Sequence, residues 1–472
     1  MLPIVLGLDI RCIKFCKRSM RKVVVNAGLN NDFHKHHYFF YLSQLYMWVD
    51  TAALGKLLSL YPPSLSSFTG AFMANWLRSH FYLLVALYAA TIFISNDAFL
   101  PAIPIMSDDL DVADGQALMA VTVFVFGSIS VQFIVGPLSD AFGRKAIMLG
   151  GGLVFMLATW VCGLSDNIAM LLSARFCAGA TMSCIFAGGF AAINEYYGDD
   201  NAVRALSLSA NVTMLAPMLG PVIGAFILQF HTWHYIFFYD ALLMAAVLVL
   251  LVLYMPETNL RLLQGRETRL NLRSVFSPLL VVARNRRLMI SSAAFGLSGA
   301  VFMMWITGST IMLMKNLGLS AADYAVWQIP VFVCLLFSNN LAPKLSRKVG
   351  LDRYVARVFW LVGLAAIPFA IASLFETSLL GVMLPMCMFA FVKGLQNAPF
   401  NQYVLRLEKV YKGTAASLYS FVNGIFGVLG ALSASLLAEH SNASYQALMA
   451  VLVASSMIVG WYALRINKSD AS

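Results

Sequence analysis

The stretch "GPLSDAFGRKAIML", residues 136–149, lies between two long apolar runs. Gly136 and Gly143 are residues that permit close backbone approach and a tight turn. Asp140, Arg144 and Lys145 put opposite charges at the junction of two helices. Taken singly these features are ordinary, and a plain basic turn would show some of them. The ordered spacing G-x-L-x-D-x-x-G-R-K is specific. A degenerate copy, "APKLSRKVG" at 342–350, stands in the corresponding place of the second half of the chain, as a duplicated architecture requires.

The rest of the chain explains what such a turn connects. Of 472 residues, 60% are hydrophobic and 11% charged, and mean hydropathy is +0.77. A soluble domain carries about 25% charged residues, so there is too little charge here to cover a water-facing surface. The apolar runs reach 20 residues and more, which fits spanning helices and not the alternating ten-residue segments of a barrel. Twelve spans are predicted: 80–104, 116–137, 146–165, 168–195, 203–230, 233–255, 288–314, 321–342, 353–375, 378–401, 413–438 and 444–464. The only long polar connection, 256–287, divides them into a first set of six (73–255) and a second (288–472). The expected fold is all-α and polytopic, two pseudo-symmetric six-helix bundles.

Charge fixes the orientation. The even-numbered loops and the C-terminus hold 20 Lys and Arg; the odd-numbered loops hold one, Lys315. By the positive-inside rule both ends of the twelve-helix unit are expected to be cytoplasmic. The net charge of +10 is then largely a matter of topology, and no nucleic-acid partner is expected. Seven cysteines, five of them inside apolar runs, make an odd total that argues against a disulfide framework. The "HKHH" at 34–37 reads as a fortuitous basic tract in preference to a metal site, and no metal is expected. Residues 1–72 fit the pattern poorly: their apolar run is broken by Asp50 and Lys56, and no signal-peptide layout is seen. Met73 is the expected physiological start, with the preceding stretch disordered or not normally made.

Three spans carry unusual residues. Span 1 holds Asp97, in "ATIFISNDAFLP", and span 4 holds Arg175, in "LLSARFCAGATMSC". Intramembrane charges are functional candidates by default. Each lies seven residues from the outer end of its span, about 10 Å at 1.5 Å per residue, so the two are expected at similar depth. Pairing or a shared wet cavity would offset their cost, and a change in either would alter proton affinity. A static ion pair holding two helices together is the alternative. Glu195, at the end of span 4, is expected to join Asp140 and Arg144 in a cluster that latches one conformer; a plain solvated cluster is the alternative. Span 5 reads "NVTMLAPMLGPVIGAFI": Pro217 and Pro221 each remove a backbone donor, and Gly220 and Gly224 form a small-xxx-small seam.

The loop at 136–145 resembles the hallmark loop of the major facilitator superfamily, and A-P-x-x-G-P-x-x-G in span 5 resembles the signature of its antiporters. With "SNDAFLPAIP", "YMPET" at 254–258 and "MMWITGSTIMLMKNLGLSAADYAVWQIPVF" at 303–332, the chain from about Met73 onward resembles the drug/proton antiporters of the MdfA and Bcr/CflA type. The resemblance implies a carrier of the bacterial inner membrane that exports small amphipathic molecules against a proton gradient. No cofactor is expected beyond that gradient. The partners expected are substrate, protons and lipid, with the chain working as a monomer. One departure stands out. MdfA carries an acidic residue in helix 1 ahead of the Asn-Asp pair, where this chain has Ala89. Asp97 is then expected to be the sole acidic residue in the apolar middle of the first half.

Asn96, Asn211, Trp305 and Gln328 are candidates to face substrate, and Met182, Met214, Met303 and Met304 could line an adaptable pocket, with simple packing as the alternative. Lys393, near the cytoplasmic end of span 10, reads as a snorkelling lysine; a substrate contact is the alternative. A siderophore or metabolite exporter, or a nutrient importer, on the same fold is the alternative function. No nucleotide loop, metal cluster or nucleophile motif is visible, which speaks against an enzyme or an ATP-driven pump.

Overall fold

In lipid, a spanning chain must satisfy its own backbone, in helices or a closed barrel. The computed structural model describes residues 79–259, 272–375, 378–408 and 410–469, and every regular element among them is helical. The first half contains α1 (Tyr82–Asp109), α2 (Asp114–Ser130 and Gln132–Phe142, bent by 51°), α3 (Arg144–Gly163), α4 (Ile168–Tyr197), α5 (Asp199–Leu228) and α6 (His234–Tyr254). The second contains α7 (Arg286–Lys315), α8 (Ala321–Val349), α9 (Leu351–Ser373), α10 (Leu379–Leu405), α11 (Lys412–Leu436) and α12 (Asn442–Ser469). A separate helix, Leu272–Ala283, lies in the connection between them. Among the described residues ten helices are individually long and apolar enough to cross a membrane, and the bent α2 makes eleven. In α5 the apolar part is confined to Leu215–Leu228. The expectations for residues 1–72, including the tract at 34–37, lie outside the described residues.

A helix stands at each of the twelve expected spans, with shifted ends. α1 runs to Asp109 because its prolines start new helical segments. Pro101 lies in the first turn of a 3₁₀ segment, Leu100–Ala102, and Pro104 in the first turn of Ile103–Asp109, positions where a missing N–H does no harm. α8 extends to Val349, so most of "APKLSRKVG" is helix, with Arg347 and Lys348 in its last turn, where cations favour the helix dipole. In α2, Ser128 and Ser130 bond back to the carbonyls of Val125 and Gly127, each at 2.7 Å, just before the bend; such back-bonding loosens a helical ladder.

The helix pairings recur between the halves. α1 packs on α5, α2 on α4 and α3 on α6; likewise α7 on α11, α8 on α10 and α9 on α12. The turns repeat too: Gly143 between α2 and α3 has φ +97°, and Gly350 between α8 and α9 has φ +86°, a region only glycine enters freely. The halves meet through α2 with α11 and α5 with α8.

The two ends of the molecule differ. Away from the 136–145 loop, one continuous core takes in both halves, from Phe99, Leu118 and Trp233 to Trp305, Phe369 and Tyr445. Near the loop the halves have separate cores, one around Phe81, Met148 and Leu251 and the other around Tyr354, Phe359 and Tyr403. The far end is also tied by polar contacts between halves, Asp114 with Lys315 and Thr122 with Ser435 at 3.3 Å. At the loop end, Phe133 meets Phe421 with ring centroids 4.9 Å apart, and Gln132 Nε2 donates to the Ser417 carbonyl at 3.2 Å.

The α1–α5 seam is the closest contact relevant to the buried charges. A Cβ on Gly220 would lie 2.9 Å from Asp97 Cβ, and one on Gly224 would fall on the Ala98 carbonyl oxygen. By contrast, a Cβ on Gly136 would meet nothing within 4 Å, so the close approach expected there is absent; the tight turn belongs to Gly143 alone. Gly224→Ala is therefore expected to destabilise the purified protein by about 1–3 kcal/mol, the usual range for overpacking. Gly136→Ala should leave thermal stability unchanged or slightly raised. A detergent melting curve for each checks this, and equal effects would refute the seam.

Candidate functional site

Arg175 is fully buried. It lies on α4 about 10 Å below the far end at 1.5 Å per residue. A guanidinium there needs acceptors, and helix interiors normally have none to spare. α1 supplies one through its own break. Pro101 has no N–H to offer the Asp97 carbonyl four residues earlier, and the Phe99 N–H turns to that carbonyl. The Ser95 carbonyl then accepts from Arg175 Nη1 at 3.4 Å. Nε donates to the Ala120 carbonyl of α2 at 3.3 Å, and Nη2 to Asn96 Oδ1 at 3.2 Å. The rings of Phe99 and Phe124 lie 4.4 Å from the guanidinium carbon and that of Phe237 lies 5.9 Å away, contacts that favour a desolvated cation.

Asp97 is 3% exposed. It does not bond Arg175 directly. Asn96 Nδ2 donates to Asp97 Oδ1 at 3.0 Å while Asn96 Oδ1 accepts from Arg175. One amide therefore bridges the two charges: of the pairing or shared wet cavity expected from their depth, the structure shows an indirect pairing through a three-residue chain.

The expectation that Asp97 is the sole acid in this interior is overturned. Asp240 on α6 is 7% exposed, and both its carboxyl oxygens are buried without a hydrogen-bond partner. The Ser95 hydroxyl adjoins it outside bonding geometry, and Arg175 is within electrostatic reach. The sequence carried the signal: "HYIFFYDALLM" places an Asp two turns inside a span, where the same reasoning that singled out Asp97 applies.

The loop at the other end is a second polar cluster. Arg144 pairs with Asp140 at 2.7 Å and with Glu195 at 2.8 Å, as anticipated. The unexpected member is Glu257, just past α6. Its carboxylate accepts the backbone N–H groups of Arg144 and Lys145 at 3.0 and 3.1 Å, capping α3 where helices leave donors unsatisfied. Thr258 Oγ1 donates to Glu195 at 2.8 Å, Asn259 Nδ2 to the Asp140 carbonyl at 2.9 Å, and Lys145 Nζ to the Val252 carbonyl at 2.8 Å. α4 contributes through a π-helical turn, Ile185–Phe190. There the Ala187 carbonyl accepts from Ser139 Oγ at 2.8 Å. Every partner named belongs to the first six helices or the five residues after them, so the cluster joins α2, α3, α4 and the end of α6.

In the second half, Trp305 and Gln328 are brought together. Trp305 Nε1 donates to Gln328 Oε1 at 3.1 Å, Gln328 Nε2 to Ser309 Oγ at 2.9 Å, and Ser309 shares a hydrogen bond with Tyr324 at 3.1 Å. All four are buried, and Tyr324 lies within electrostatic reach of Asp97 across the interface. Met304 belongs to the shared core and Met182 packs against the first-half core. The side chains of Asn211 and Met214 lie outside the described residues.

Lys393 does not snorkel. It is 7% exposed, its ammonium donates to Ser298 Oγ at 3.0 Å, and it sits 3.6 Å from the Phe295 ring centroid. Ser298 in turn donates to Gln396 Oε1 at 2.7 Å. The α10 helix turns this side chain toward α7, not along the helix to water.

The family model for the Major Facilitator Superfamily matches residues 85–431. The chain belongs to the major facilitator superfamily. It is 30% identical to the chloramphenicol resistance protein CraA of Acinetobacter baumannii, over 72% of this chain and 82% of that one. It is also 30% identical to the multidrug transporter MdfA of Edwardsiella ictaluri, over 74% and 85%, and 26% identical to MdfA of Escherichia coli, over the same shares. Solved structures share the fold at 14% identity and a TM-score of 0.64. They are a bacterial homologue of the human lysosomal transporter Spinster, over 82% of this chain and 97% of that one, and a D-xylose–proton symporter, over 80% and 96%.

Asn96→Ala tests the bridge in this superfamily member. It removes one acceptor from a buried cation and one donor from a buried carboxylate. Hydrogen bonds to charged groups are worth about 1.5–3 kcal/mol, so substrate turnover in reconstituted vesicles should fall roughly tenfold or more. Asn96→Gln, which can still bridge, should recover part of it. Unchanged turnover in Asn96→Ala would show that the bridge is incidental.

Proposed function

We propose that this chain is a proton-coupled antiporter that exports small amphipathic molecules by alternating access, with Asp97 as the proton-binding group. The observation that carries the reading is the Asp97–Asn96–Arg175 chain, buried in the first half and pressed against α5 at Gly220. A carboxylate in that position is expensive when ionised, and its cost depends on how closely the arginine approaches. A shift of α1 against α4 changes that distance, so conformation and protonation are tied together. The names of the relatives, multidrug transporters and a chloramphenicol resistance protein, support export of chemically varied small molecules. A dedicated siderophore exporter or an importer has no observation in its favour.

The basic end faces the cytoplasm in this reading, as its Lys and Arg excess requires, so both ends of the twelve-helix unit are cytoplasmic and the separate cores at that end belong to an inward-facing state. The protein sits in the bacterial inner membrane, surrounded by lipid, as a monomer driven by the proton gradient without a cofactor. Asn96, Asn211, Trp305 and Gln328 are the proposed substrate-facing polar groups; Trp305 and Gln328 would exchange their mutual hydrogen bond for substrate. Gly136, Asp140, Gly143, Arg144, Lys145 and Glu195, with Glu257 added, form the proposed cytoplasmic latch, and Pro217, Gly220, Pro221 and Gly224 the close-packed pivot. With Ala89 lining an apolar core and Lys393 buried in the second half, neutral compounds suit the interior better than permanent cations.

The test is uptake of chloramphenicol, with ethidium as a permanent cation, into inverted vesicles under an imposed pH gradient. Chloramphenicol should accumulate and leak out when the gradient is collapsed, and ethidium should accumulate less. Asp97→Asn should express normally and lose gradient-driven uptake. Full transport by the charge-swapped pair Asp97→Arg with Arg175→Asp would mean that the charges only hold helices together, and would defeat proton coupling through Asp97.

A further inference from the structure

The first half buries one cation and two carboxyls at its centre. Arg175 on α4, Asp97 on α1 and Asp240 on α6 are all under 9% exposed. Asp240 lies six residues into α6 and Arg175 seven into α4, both counted from the far end, so they sit at about the same depth, ~9–10 Å. Three consecutive residues of α1 serve the group: Ser95 adjoins Asp240 and gives its carbonyl to Arg175, Asn96 bonds Arg175, and Asp97 bonds Asn96. Phe237, one turn before Asp240 on α6, faces the same guanidinium.

We propose that Asp240 is a second proton-binding group of this carrier, sharing the single counter-charge of Arg175 with Asp97. The inference rests on the antiport reading and adds a site to it. With both carboxyls ionised the buried cluster carries one uncompensated negative charge, and both Asp240 oxygens lack any donor. One proton, bound to a lone pair of either carboxylate, restores neutrality without breaking any bond, and it leaves by the same route in reverse. Two carboxyls around one cation titrate as a pair, not as independent sites. The groups facing Asp240 are Arg175 from α4, the Ser95 hydroxyl from α1 and the Cys162 thiol from α3; Asp97 is linked to it through their shared partner Arg175. α5 carries its charged residues, Asp199, Asp200 and Arg204, only in its first two turns at the basic end, so it adds no competing charge.

The two carboxyls differ in what their surroundings can do. Asp97 lies against the α5 seam and near Tyr324 of the second half, where the halves meet. Asp240 lies on α6, which packs on α3 and α1 away from that interface. A proton held at Asp240 can therefore stay with the first half while the α1 neighbourhood rearranges around substrate.

Difference infrared spectroscopy of the purified protein across a pH titration tests the proposal, because a protonated buried carboxyl has its own C=O band. The unaltered protein should show two such titrating bands. Asp240→Asn should lose one, Asp97→Asn the other, and the double variant both. An Asp240→Asn spectrum identical to the unaltered one would overturn the proposal. If Asp240→Asn fails to fold, Asp240→Glu keeps a carboxyl with a distinguishable band: a shifted titrating band supports the site, and an unshifted spectrum refutes it. The vesicle assay separates this from the reading beneath it. Loss of gradient-driven chloramphenicol uptake in Asp97→Asn, with no titrating band lost in Asp240→Asn, would leave Asp97 coupling intact and remove Asp240. Uptake that survives Asp97→Asn but fails in Asp240→Asn would do the opposite.

Discussion

The guanidinium of Arg175 must be held in an interior that excludes water, and much of the first half is arranged around that requirement. Burying such a charge without partners is prohibitive. Four helices contribute to its shell: α2 a carbonyl and the Phe124 ring, α1 a carbonyl, an amide and the Phe99 ring, α6 the Phe237 ring, and α4 the arginine itself. The contribution of α1 depends on a defect. Pro101 denies Asp97 its helical donor, the ladder breaks at Phe99, and the Ser95 carbonyl is released toward the arginine. Fold and chemistry meet in that step, because the residues that interrupt the helix are the neighbours of the carboxyl proposed to bind the proton.

Small residues then couple this polar centre to the packing of the bundle. Gly220 and Gly224 bring α5 against the backbone of Asp97 and Ala98 with no room for a methyl group. Any sliding of α5 along α1 must therefore move the Asp97 region or separate the helices. α5 also meets α8 of the second half. A displacement between the halves is thus transmitted to Asp97 through a backbone contact, which is stiffer than a contact between flexible side chains. The loop cluster is built within one half. Its ion pairs and caps run among α2, α3, α4 and the tail of α6, so the proposed latch acts by fixing the mutual position of those helices.

What was legible in the sequence follows from what each signal measures. A helix at each expected span came through, because hydropathy reports burial in lipid directly. Ends were less legible: Pro101 and Pro104 look like terminators, yet both restart the helix. Asp97, Arg175 and the Arg144 cluster were found because charge inside or beside an apolar run is rare. Asp240 obeys the same rule but is masked by the aromatic "HYIFFYD" around it, which reads as an ordinary span entrance. Glu257 was invisible as a cap, since its partners are backbone N–H groups 112 and 113 residues away and no side-chain pattern marks them. Lys393 was misplaced because distance along a helix to its end says nothing of the direction in which the side chain leaves it.

The unequal ends constrain how the transporter can change state. At the far end the halves share a continuous apolar core sealed by Asp114 with Lys315 and Thr122 with Ser435. Opening there would expose Trp305, Met304 and Phe99 to water, at a hydrophobic cost of roughly 1.5–3 kcal/mol per large side chain. That cost must be offset by apolar contacts formed at the basic end, where Phe133 and Phe421 already touch and the two separate cores have surface to join. Exchange of one closure for the other is nearly balanced only if the two apolar areas are similar. A modest bias, such as the charge of one buried carboxyl, is then enough to decide which end is open.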